Sequence, residues 1–593
     1  MAAADGAPCE FIAIVAHGRR NRECEPRPVE EEPSRESLPS CRRRLVYHEF
    51  VTETIGRDGT LQDISFHYPD NFNFAYDVVD DIAARTPEKR AMRWISSTYE
   101  VRDFSFREIA ENSCRTANFF ASLGIRKGDR VMLVLRRHYQ FWFAVLALHR
   151  IGAVVIPAST LMTEHDLVYR FNAAGVKAVV CTGVGEIADH VDSAQKESPS
   201  LTVKIVVNGE REGWHSFNRE ILRCPATFPR DPTLKANDPA ILFFSSGTTG
   251  YPKMVLHVQT YPLGHICTAR WWHCVDPDGL HLTISDTGWA KAMWGKIYGQ
   301  WLCEGAILVY DFDRFHAADI LQLFAEHRIT TFCAPPTMYR FFVREDMSRY
   351  DYSSLRHACN AGEALNPEVF ELFRKAAGLK LMEGFGQSES PILIGNLFGM
   401  TPKPGSMGRP VPPFRIDLLD SDGNKVAPGE TGEICVRTEP YQNCGLFVGY
   451  YNDPELTRQV WHDGYYHTGD TAWMDEDGYF WYVGRVDDLI KSSGYRIGPF
   501  EIESVIMELP YVLEVAVTGA PDAIRGQVVK ATIVLTAGKT PSDELVAEIQ
   551  DYVRRGTAPY KYPRIVEFVP ELPKTISGKI RRNALREQDR NRK

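Results

Sequence analysis

Residues 245–253 read Ser-Ser-Gly-Thr-Thr-Gly-Tyr-Pro-Lys and follow a short apolar run at 240–244. The apolar run predicts a buried strand, and the polar stretch predicts the loop after it. Glycines allow close approach of the backbone, hydroxyl and N–H groups donate to phosphate oxygens, and a lysine neutralises charge. No Gly-Lys-Ser/Thr follows the first glycine, so this is not a Walker A loop. The stretch predicts phosphate binding on another scaffold, with an ordinary surface loop as the alternative.

Bulk properties indicate an enzyme of more than one domain. A chain of 593 residues is too long for a single core. Its 44% hydrophobic and 24% charged residues are ordinary, and its formal net charge of -9 argues against nucleic-acid binding. Thirteen cysteines without Cys-x-x-Cys spacing indicate reduced, buried thiols rather than a disulfide framework or a zinc site.

The two candidate targeting segments are weak. The best apolar stretch, 141–157, is interrupted by His149 and Arg150 and is shorter than the ~20 residues of a membrane span. The N-terminal apolar run precedes its basic residues, the reverse of a secretory signal. Residues 1–45 are expected to be a disordered extension, because 19–44 are rich in Arg, Glu and Pro. We expect a cytoplasmic protein and leave an organellar matrix open.

The chain shows three successive kinds of secondary-structure pattern. Helical and apolar strand patterns alternate from Tyr68 onward, which predicts crossover units and a largely parallel sheet. Past Gly405 short strands are separated by turns such as Asp422-Gly423 and Asp477-Gly478, which predicts a small β-rich subdomain. After Arg485 a compact region begins that is long enough to fold alone. The predicted helices are 71–84, 106–123, 140–148, 499–507 and 542–554.

Three further stretches carry chemistry. Residues 383–390 read Glu-Gly-Phe-Gly-Gln-Ser-Glu-Ser and offer glycine, hydroxyls and carboxylate to a nucleotide and a metal. In Tyr-His-Thr-Gly-Asp, 466–470, Asp470 either accepts from ribose hydroxyls or is a turn residue. Residues 573–579, Pro-Lys-Thr-Ile-Ser-Gly-Lys, place Lys579 in a glycine-containing loop or in a solvated tail.

Together, and in this order, these stretches resemble the adenylate-forming superfamily of acyl-CoA synthetases, peptide-synthetase adenylation domains and luciferases. The resemblance covers about 68–586, and the stretches 284–289 and 560–564 look most like medium-chain acyl-CoA synthetases. It implies an α/β fold: a large multi-sheet N-terminal domain at 46–486 with a β-rich subdomain at about 405–484, plus a small mobile α+β C-terminal domain at 487–593. Asp487 matches the hinge.

The resemblance also implies roles for individual residues. The mobile loop over the phosphates would comprise Ser245, Ser246, Gly247, Thr248, Thr249, Gly250 and Lys253, with Thr248 among the catalytic residues. Adenine and ribose would meet Gly362, Glu363, Ala364, Glu383, Gly384, Phe385, Gly386, Gln387 and Ser388, where Ala364 replaces the proline of many relatives. Glu389 would hold Mg²⁺, Asp470 the ribose, and Arg485 ribose or phosphate. Lys579 would bridge the acyl carboxylate and the α-phosphate.

The implied reaction uses ATP, Mg²⁺ and CoA. A carboxylic acid attacks the α-phosphate to give acyl-AMP and pyrophosphate, and the CoA thiol then displaces AMP. Rotation of the C-terminal domain would exchange Lys579 for a CoA channel at Ser493, Gly494 and Tyr495. Arg496 would contact nucleotide, and Arg525 and Tyr562 would contact CoA.

The acyl pocket is implied at Trp289, Lys291 and Trp294, beside Gly386. Acetate-specific relatives carry tryptophan at the position of Gly386, so we expect a deeper pocket for a medium-chain, branched or aromatic acid. Lys291 either reaches solvent, pairs with a carboxylate or shortens the pocket. The alternative activities are an acyl-AMP ligase that loads a carrier protein and a non-catalytic nucleotide- or acyl-binding protein; a homo-oligomer is left open.

Overall fold

A computed structural model of the chain describes residues 43–245, 251–363, 365–439, 444–492, 495–522, 525–575 and 579–591, without the side chain of Arg496. These residues belong to one compact unit, 37–593. Among the described helices, none is long and apolar enough to cross a bilayer. Nine of the ten described cysteines are buried.

The strands of the large N-terminal part are grouped in two big sheets and two smaller ones. In chain order they are β1 (Val51–Ile55), β2 (Leu61–Phe66), β3 (Arg90–Ile95), β4 (Val101–Ser105), β5 (Arg130–Val134), β6 (Val154–Pro157), β7 (Ala178–Thr182), β8 (Val203–Val207), β9 (His215–Ser216), β10 (Pro239–Ser245), β11 (Lys253–Val258), β12 (Leu280–Thr283), β13 (Ala306–Tyr310), β14 (Thr331–Ala334), β15 (His357–Ala361), β16 (Leu381–Gly386), β17 (Ile392–Gly395), β18 (Arg409–Pro410), β19 (Ile416–Leu419), β20 (Thr431–Arg437), β21 (Gly449–Tyr450), β22 (Trp461–His462), β23 (Tyr465–Met474) and β24 (Phe480–Arg485). The C-terminal part adds β25 (Ile490–Ser492), β26 (Tyr495–Ile497), β27 (Val512–Asp522), β28 (Gly526–Leu535) and β29 (Ile565–Phe568).

The α-helices cover the faces of these sheets. They are α1 (Asp81–Arg85), α2 (Phe106–Ser122), α3 (Gln140–Ile151), α4 (Glu164–Ala174), α5 (Ile187–Gln195), α6 (Phe217–Glu220), α7 (Ala290–Gly295), α8 (Tyr298–Leu302), α9 (Ala317–Glu326), α10 (Pro336–Phe342), α11 (Pro367–Ala377), α12 (Pro454–Val460), α13 (Pro499–Met507), α14 (Asp543–Gly556) and α15 (Arg582–Asn591). Helix α2 begins with a capping box, in which Ser105 and Glu108 satisfy each other's backbone amides. Helix α3 is buried on all sides, as its apolar sequence predicts.

Sheet order confirms the α/β fold expected from the alternating pattern. One sheet has eight strands in the order β21-β11-β10-β6-β5-β7-β8-β9, and another has nine in the order β18-β17-β16-β15-β14-β12-β13-β3-β4. Their central pairs are parallel. Antiparallel pairs lie at both edges of the nine-stranded sheet and at the β21 edge of the eight-stranded sheet, whereas its other edge strand, β9, is parallel to β8. The β-rich subdomain is a five-stranded sheet of β19, β20, β22, β23 and β24, and the predicted turns at Gly423 and Gly478 have φ of +81° and +80°.

Two differences from the sequence expectation concern the start of the chain. Regular structure begins at Val46, ahead of Tyr68, because the β1–β2 hairpin is tied to the core by polar contacts that have no sequence period. Glu53 accepts hydrogen bonds from Tyr47 (3.0 Å) and from the indole of Trp271 (2.6 Å). The helix predicted at 71–84 is a π-helical turn, Ala75–Asp80, that continues into α1.

The C-terminal part packs against strand β24. A Cβ on Gly498 would lie 2.5 Å from the Val483 carbonyl oxygen, so only glycine fits this approach. The rings of Tyr482 and Phe500 meet edge to face at 6.1 Å. On the C-terminal side, Arg582 of α15 pairs with Glu503 of α13 at 2.7 Å, and Arg586 pairs with Asp488 at 2.6 Å.

Candidate active site

The phosphate-loop stretch connects two antiparallel strands. Ser245 ends β10, Lys253 begins β11, and the two residues are paired across the hairpin. The predicted residues Ser246, Gly247, Thr248, Thr249 and Gly250 lie outside the described residues. The Lys253 ammonium stands 5.2 Å from the centre of the Tyr450 ring, a cation–π contact. The hairpin therefore fixes both ends of the loop and directs its lysine toward Tyr450.

The carboxylate of Glu389 lies beside this lysine. Tyr450 donates a hydrogen bond to Glu389 Oε1 at 3.0 Å, and both side chains are buried. Burial raises the pKa of Glu389, while the Tyr450 hydrogen bond and the charges of Lys253 and Arg485 lower it. Tyr450 belongs to no motif of the sequence, so its role emerges only from the fold.

Asp470 is held by a network that joins two of the sequence stretches. Its carboxylate accepts hydrogen bonds from Gln387 Nε2 (2.5 Å) and from the Tyr482 hydroxyl (3.0 Å). Gln387 Nε2 also donates to the Thr468 carbonyl at 2.9 Å, and its Oε1 accepts from Tyr466 at 2.6 Å. Burial raises the pKa of Asp470, and Arg485 and Lys579 are among the groups that lower it. A carboxylate that accepts one hydrogen bond at each oxygen is fixed in one orientation and keeps further acceptor positions.

Two cations approach Asp470 from different parts of the chain. Arg485 on β24 lies opposite Asp470 on β23 in the backbone register of the two strands. The Arg485 Nε donates to Asp487 at 3.1 Å. Lys579 is exposed, and its amide donates to Thr575 Oγ1 at 3.1 Å. The Lys579 charge acts on the pKa values of both Asp470 and Lys291. The C-terminal lysine therefore lies within electrostatic reach of the predicted ribose and acyl sides.

On the predicted adenine side, the two glutamates differ in burial. Glu383 is buried, its carboxylate accepts from the Leu365 amide at 3.3 Å, and burial raises its pKa to about 8. It thus braces the turn that contains Gly362. Glu363 accepts from Thr337 (2.9 Å) at the surface, whereas Ala364 lies outside the described residues.

The middle of the 383–390 stretch is closely packed. A Cβ on Gly384 would lie 2.8 Å from the indole of Trp272, so glycine is required there. Phe385 is half-buried near Tyr482, and the Ser388 carbonyl contacts His257 Nε2 at 2.8 Å.

In the predicted acyl region, Gly386 and Trp294 are in close contact. A Cβ on Gly386 would lie 2.3 Å from Trp294 Cη2, so the indole of Trp294 fills the space that the glycine leaves. Lys291 is partly buried, its ammonium donates to the Ala361 carbonyl at 2.6 Å, and burial lowers its pKa. Trp289 precedes α7 and is partly exposed. Trp294 therefore packs directly against Gly386.

The predicted CoA residues make contacts within the C-terminal part. Tyr495 stacks on Tyr560 at 4.1 Å, and the ring of Tyr562 lies 4.2 Å from the Arg554 guanidinium and 4.9 Å from that of Arg564. The Arg525 amide donates to Asp522 at 2.7 Å. Ser493, Gly494 and the Arg496 side chain lie outside the described residues.

The site defines a class of protein. A phosphate-loop hairpin, a fixed carboxylate and a lysine from a separate C-terminal fold are the parts of an adenylate-forming enzyme. Its fold matches that of an anthranilate CoA ligase, AuaEII, solved with anthranoyl-AMP: the TM-score is 0.81 at 28% identity, over 88% of this chain and 98% of that one. A benzoate CoA ligase from Burkholderia xenovorans matches with a TM-score of 0.76 at 26% identity, over 87% of this chain and 100% of that one.

Sequence comparison gives the family. Residues 79–451 match the AMP-binding enzyme model, and 501–579 match the AMP-binding enzyme C-terminal domain. The human mitochondrial acyl-coenzyme A synthetases ACSM5 and ACSM3 are 43% and 40% identical, over 88% and 89% of this chain and 91% of each relative. The chain belongs to the AMP-binding enzyme family, as an acyl-CoA synthetase, which confirms the expected acid–thiol ligase. Acyl-CoA synthetases use ATP, Mg²⁺ and CoA.

Proposed function

We propose that this synthetase activates medium-chain, branched or aromatic acids, with Lys579 acting in the first half-reaction only. The carrying observation is the buried Asp470 carboxylate, which Gln387 and Tyr482 hold in place, with the exposed Lys579 near enough for its charge to lower the pKa of Asp470. The carboxylate of the acid substrate and the α-phosphate of ATP are both anions, and they must meet between the ribose site at Asp470 and the acyl site. In this proposal Lys579 acts at that place. Its ammonium lowers their repulsion and stabilises the charge that develops during attack.

The other residues have positioning roles in this proposal. Asp470 accepts from the ribose hydroxyls, because Gln387 and Tyr482 hold its carboxylate in place. Glu389 offers the hard carboxylate oxygen that Mg²⁺ prefers, next to Lys253 at the base of the phosphate loop. Mg²⁺ neutralises phosphate charge when bound. Lys253 steadies the departing pyrophosphate.

The contact between Trp294 and Gly386 supports this substrate class. Trp294 presents an aromatic wall at Gly386, which suits an apolar or aromatic acyl group of limited length. Lys291 is occupied by the Ala361 carbonyl, so it lines the wall instead of reaching solvent. The solved aryl-CoA ligases among the structural neighbours support an aromatic acid as a candidate substrate.

An acid panel tests the proposal. AMP and thioester formation are measured for acetate, straight-chain, branched and aromatic acids, with and without free CoA. We expect CoA-dependent AMP release that is highest with medium-chain, branched or aromatic acids and lowest with acetate. AMP release that never depends on CoA would instead support loading of a carrier protein.

The compartment is a separate proposal. The curated relatives are mitochondrial enzymes, which favours a mitochondrial location over the cytoplasmic one expected from the acidic N-terminal residues. Imaging of a tagged full-length chain in cells tests it, and a purely cytoplasmic signal would reject it.

A further inference from the structure

Three side chains of metal-ligand type converge in the β-rich subdomain, and one of them belongs to the 466–470 stretch but has no role in the reaction proposed above. They are Glu433 and Cys435 on β20 and His467 on β23. Cys435 and His467 are directly paired across the two strands, and a register shift follows between Cys435 and Glu433. At this bulge Gly469 has φ of +73°, and its amide donates to Glu433 Oε1 at 2.9 Å. The bulge turns Glu433 toward His467.

The distances match those of a tetrahedral zinc site. Cys435 Sγ lies 3.4 Å from His467 Nδ1, which lies 3.1 Å from Glu433 Oε2, and all three ligand atoms are within 4.8 Å of one another. Usual Zn–S, Zn–N and Zn–O bond lengths at tetrahedral angles require S···N of about 3.5 Å and N···O of about 3.3 Å. Small side-chain shifts would therefore admit an ion among the three atoms.

The donor set selects a borderline-soft ion. One sulfur, one imidazole nitrogen and one carboxylate oxygen suit Zn²⁺, whereas Mg²⁺ prefers oxygen ligands alone. The cluster can be reached from solvent, since the side chains of Glu433 and His467 are 24% and 15% exposed. Three protein ligands leave a fourth position for water.

A catalytic relay does not fit the same atoms. In a thiol–imidazole–carboxylate relay the acid and the thiol contact opposite ring nitrogens. Here Cys435 and Glu433 both face Nδ1 of His467, while its Nε2 is buried without a hydrogen-bond partner in the described structure. His462 stacks on the His467 ring at 4.0 Å and fixes its plane. The thiol of Cys435 and the carboxylate of Glu433 therefore both lie next to Nδ1 of His467, so three ligand atoms could bind the same metal ion.

We propose that Glu433, Cys435 and His467 bind one Zn²⁺ ion per chain. Binding would release the Cys435 thiol proton to solvent and form the Zn–S, Zn–N and Zn–O bonds. The ion would clamp β20 to β23 beside the bulge that leads to Asp470, and it would stabilise the native state by mass action.

Cobalt substitution tests the proposal on the full-length protein. Metal-free protein is titrated with Co²⁺, and the near-ultraviolet thiolate-to-cobalt band is followed, then displaced by Zn²⁺. We expect saturation at one equivalent and a rise in Tm with added Zn²⁺. The band should vanish in Cys435→Ser, and affinity should fall at least ~10-fold in His467→Gln and Glu433→Gln.

The matched control is Cys224→Ser, which removes a half-buried thiol outside the cluster and should keep the band. Wild-type protein without a cobalt–thiolate band overturns the proposal, even where a variant fails to fold. A band that survives in folded Cys435→Ser also overturns it, because another thiol would then be the ligand.

Discussion

The nucleotide side of the active site and its C-terminal lysine are built in opposite ways. Asp470 is buried, and Gln387 and Tyr482 fix its carboxylate. Lys579 is exposed, and the hydrogen bonds it makes within the described residues are those of its backbone to Thr575. The first arrangement suits a ligand held through both half-reactions, and the second suits a group that leaves after one. We infer that the large domain holds the nucleotide-binding groups in a fixed geometry, whereas the small domain supplies Lys579 for one half-reaction and then withdraws it.

The largest effect on activity is expected when Lys579, the exchangeable group, is removed. Lys579→Ala should lower acid-dependent pyrophosphate release by about 10²–10³-fold, because one charge at the reacting oxygens is lost. Thioester formation from supplied acyl-AMP should remain. The two rates are measured separately on the same preparation.

The control for this variant is Lys574→Ala, which removes an exposed lysine that pairs with Glu514 at 2.6 Å in the same segment. It should leave both rates near those of the wild type. Equal loss of the two half-reactions in Lys579→Ala would contradict a role confined to adenylation.

A smaller effect is expected on the fixed side. Asp470→Asn should raise the KM for ATP by about 10–100-fold, because it removes a charged acceptor and leaves Gln387 and Tyr482 imperfectly paired. Steady-state kinetics at saturating acid measure it. Asp477→Asn, at an exposed turn, is the control. An unchanged KM would remove Asp470 from nucleotide binding.

Substitutions at Trp294 and Gly386 should change the preference among acid substrates. Trp294→Ala should shift the acid profile toward longer or bulkier acids by about 10-fold in relative kcat/KM, at a stability cost of about 3–5 kcal/mol for the lost core packing. Gly386→Trp alone meets Trp294, so the informative variant is Gly386→Trp with Trp294→Ala, which should favour acetate and propionate. Unchanged profiles would show that other walls set the depth.

The smallest effect concerns stability and pH. Burial raises the pKa of Glu383 to about 8, so the native state keeps a proton that the unfolded chain releases near its ordinary pKa of 4.5. The free energy of unfolding should therefore fall as pH rises from about 5 to 8, by at most ~1.4 kcal/mol per pH unit. Glu383→Gln should flatten this slope in Tm measured at pH 6 and 8. An equal slope in both proteins would show that Glu383 is ionised.

The sequence predicted what local patterns determine. The apolar run before Ser245 predicted strand β10, which the structure confirms, whereas the site roles of Asp470 and Lys579 stay predictions. It missed Tyr450 and Tyr482, because each becomes functional only through a distant partner. Cysteine spacing indicated no zinc site, since such spacing finds ligands along one loop, whereas Cys435 and His467 meet across strands. The domain boundary at Asp487 stays a prediction.

The most direct test of the account separates the half-reactions at the hinge. Asp487→Pro fixes φ at the junction between Arg485 and the C-terminal part, with Asp487→Ala as the control for the lost carboxylate. Acyl-AMP formation and acyl transfer from supplied acyl-AMP to CoA are measured in each. We expect Asp487→Pro to keep adenylation and lose acyl transfer, the opposite of Lys579→Ala. Parallel loss of both steps, or of neither, would contradict alternation of the C-terminal domain.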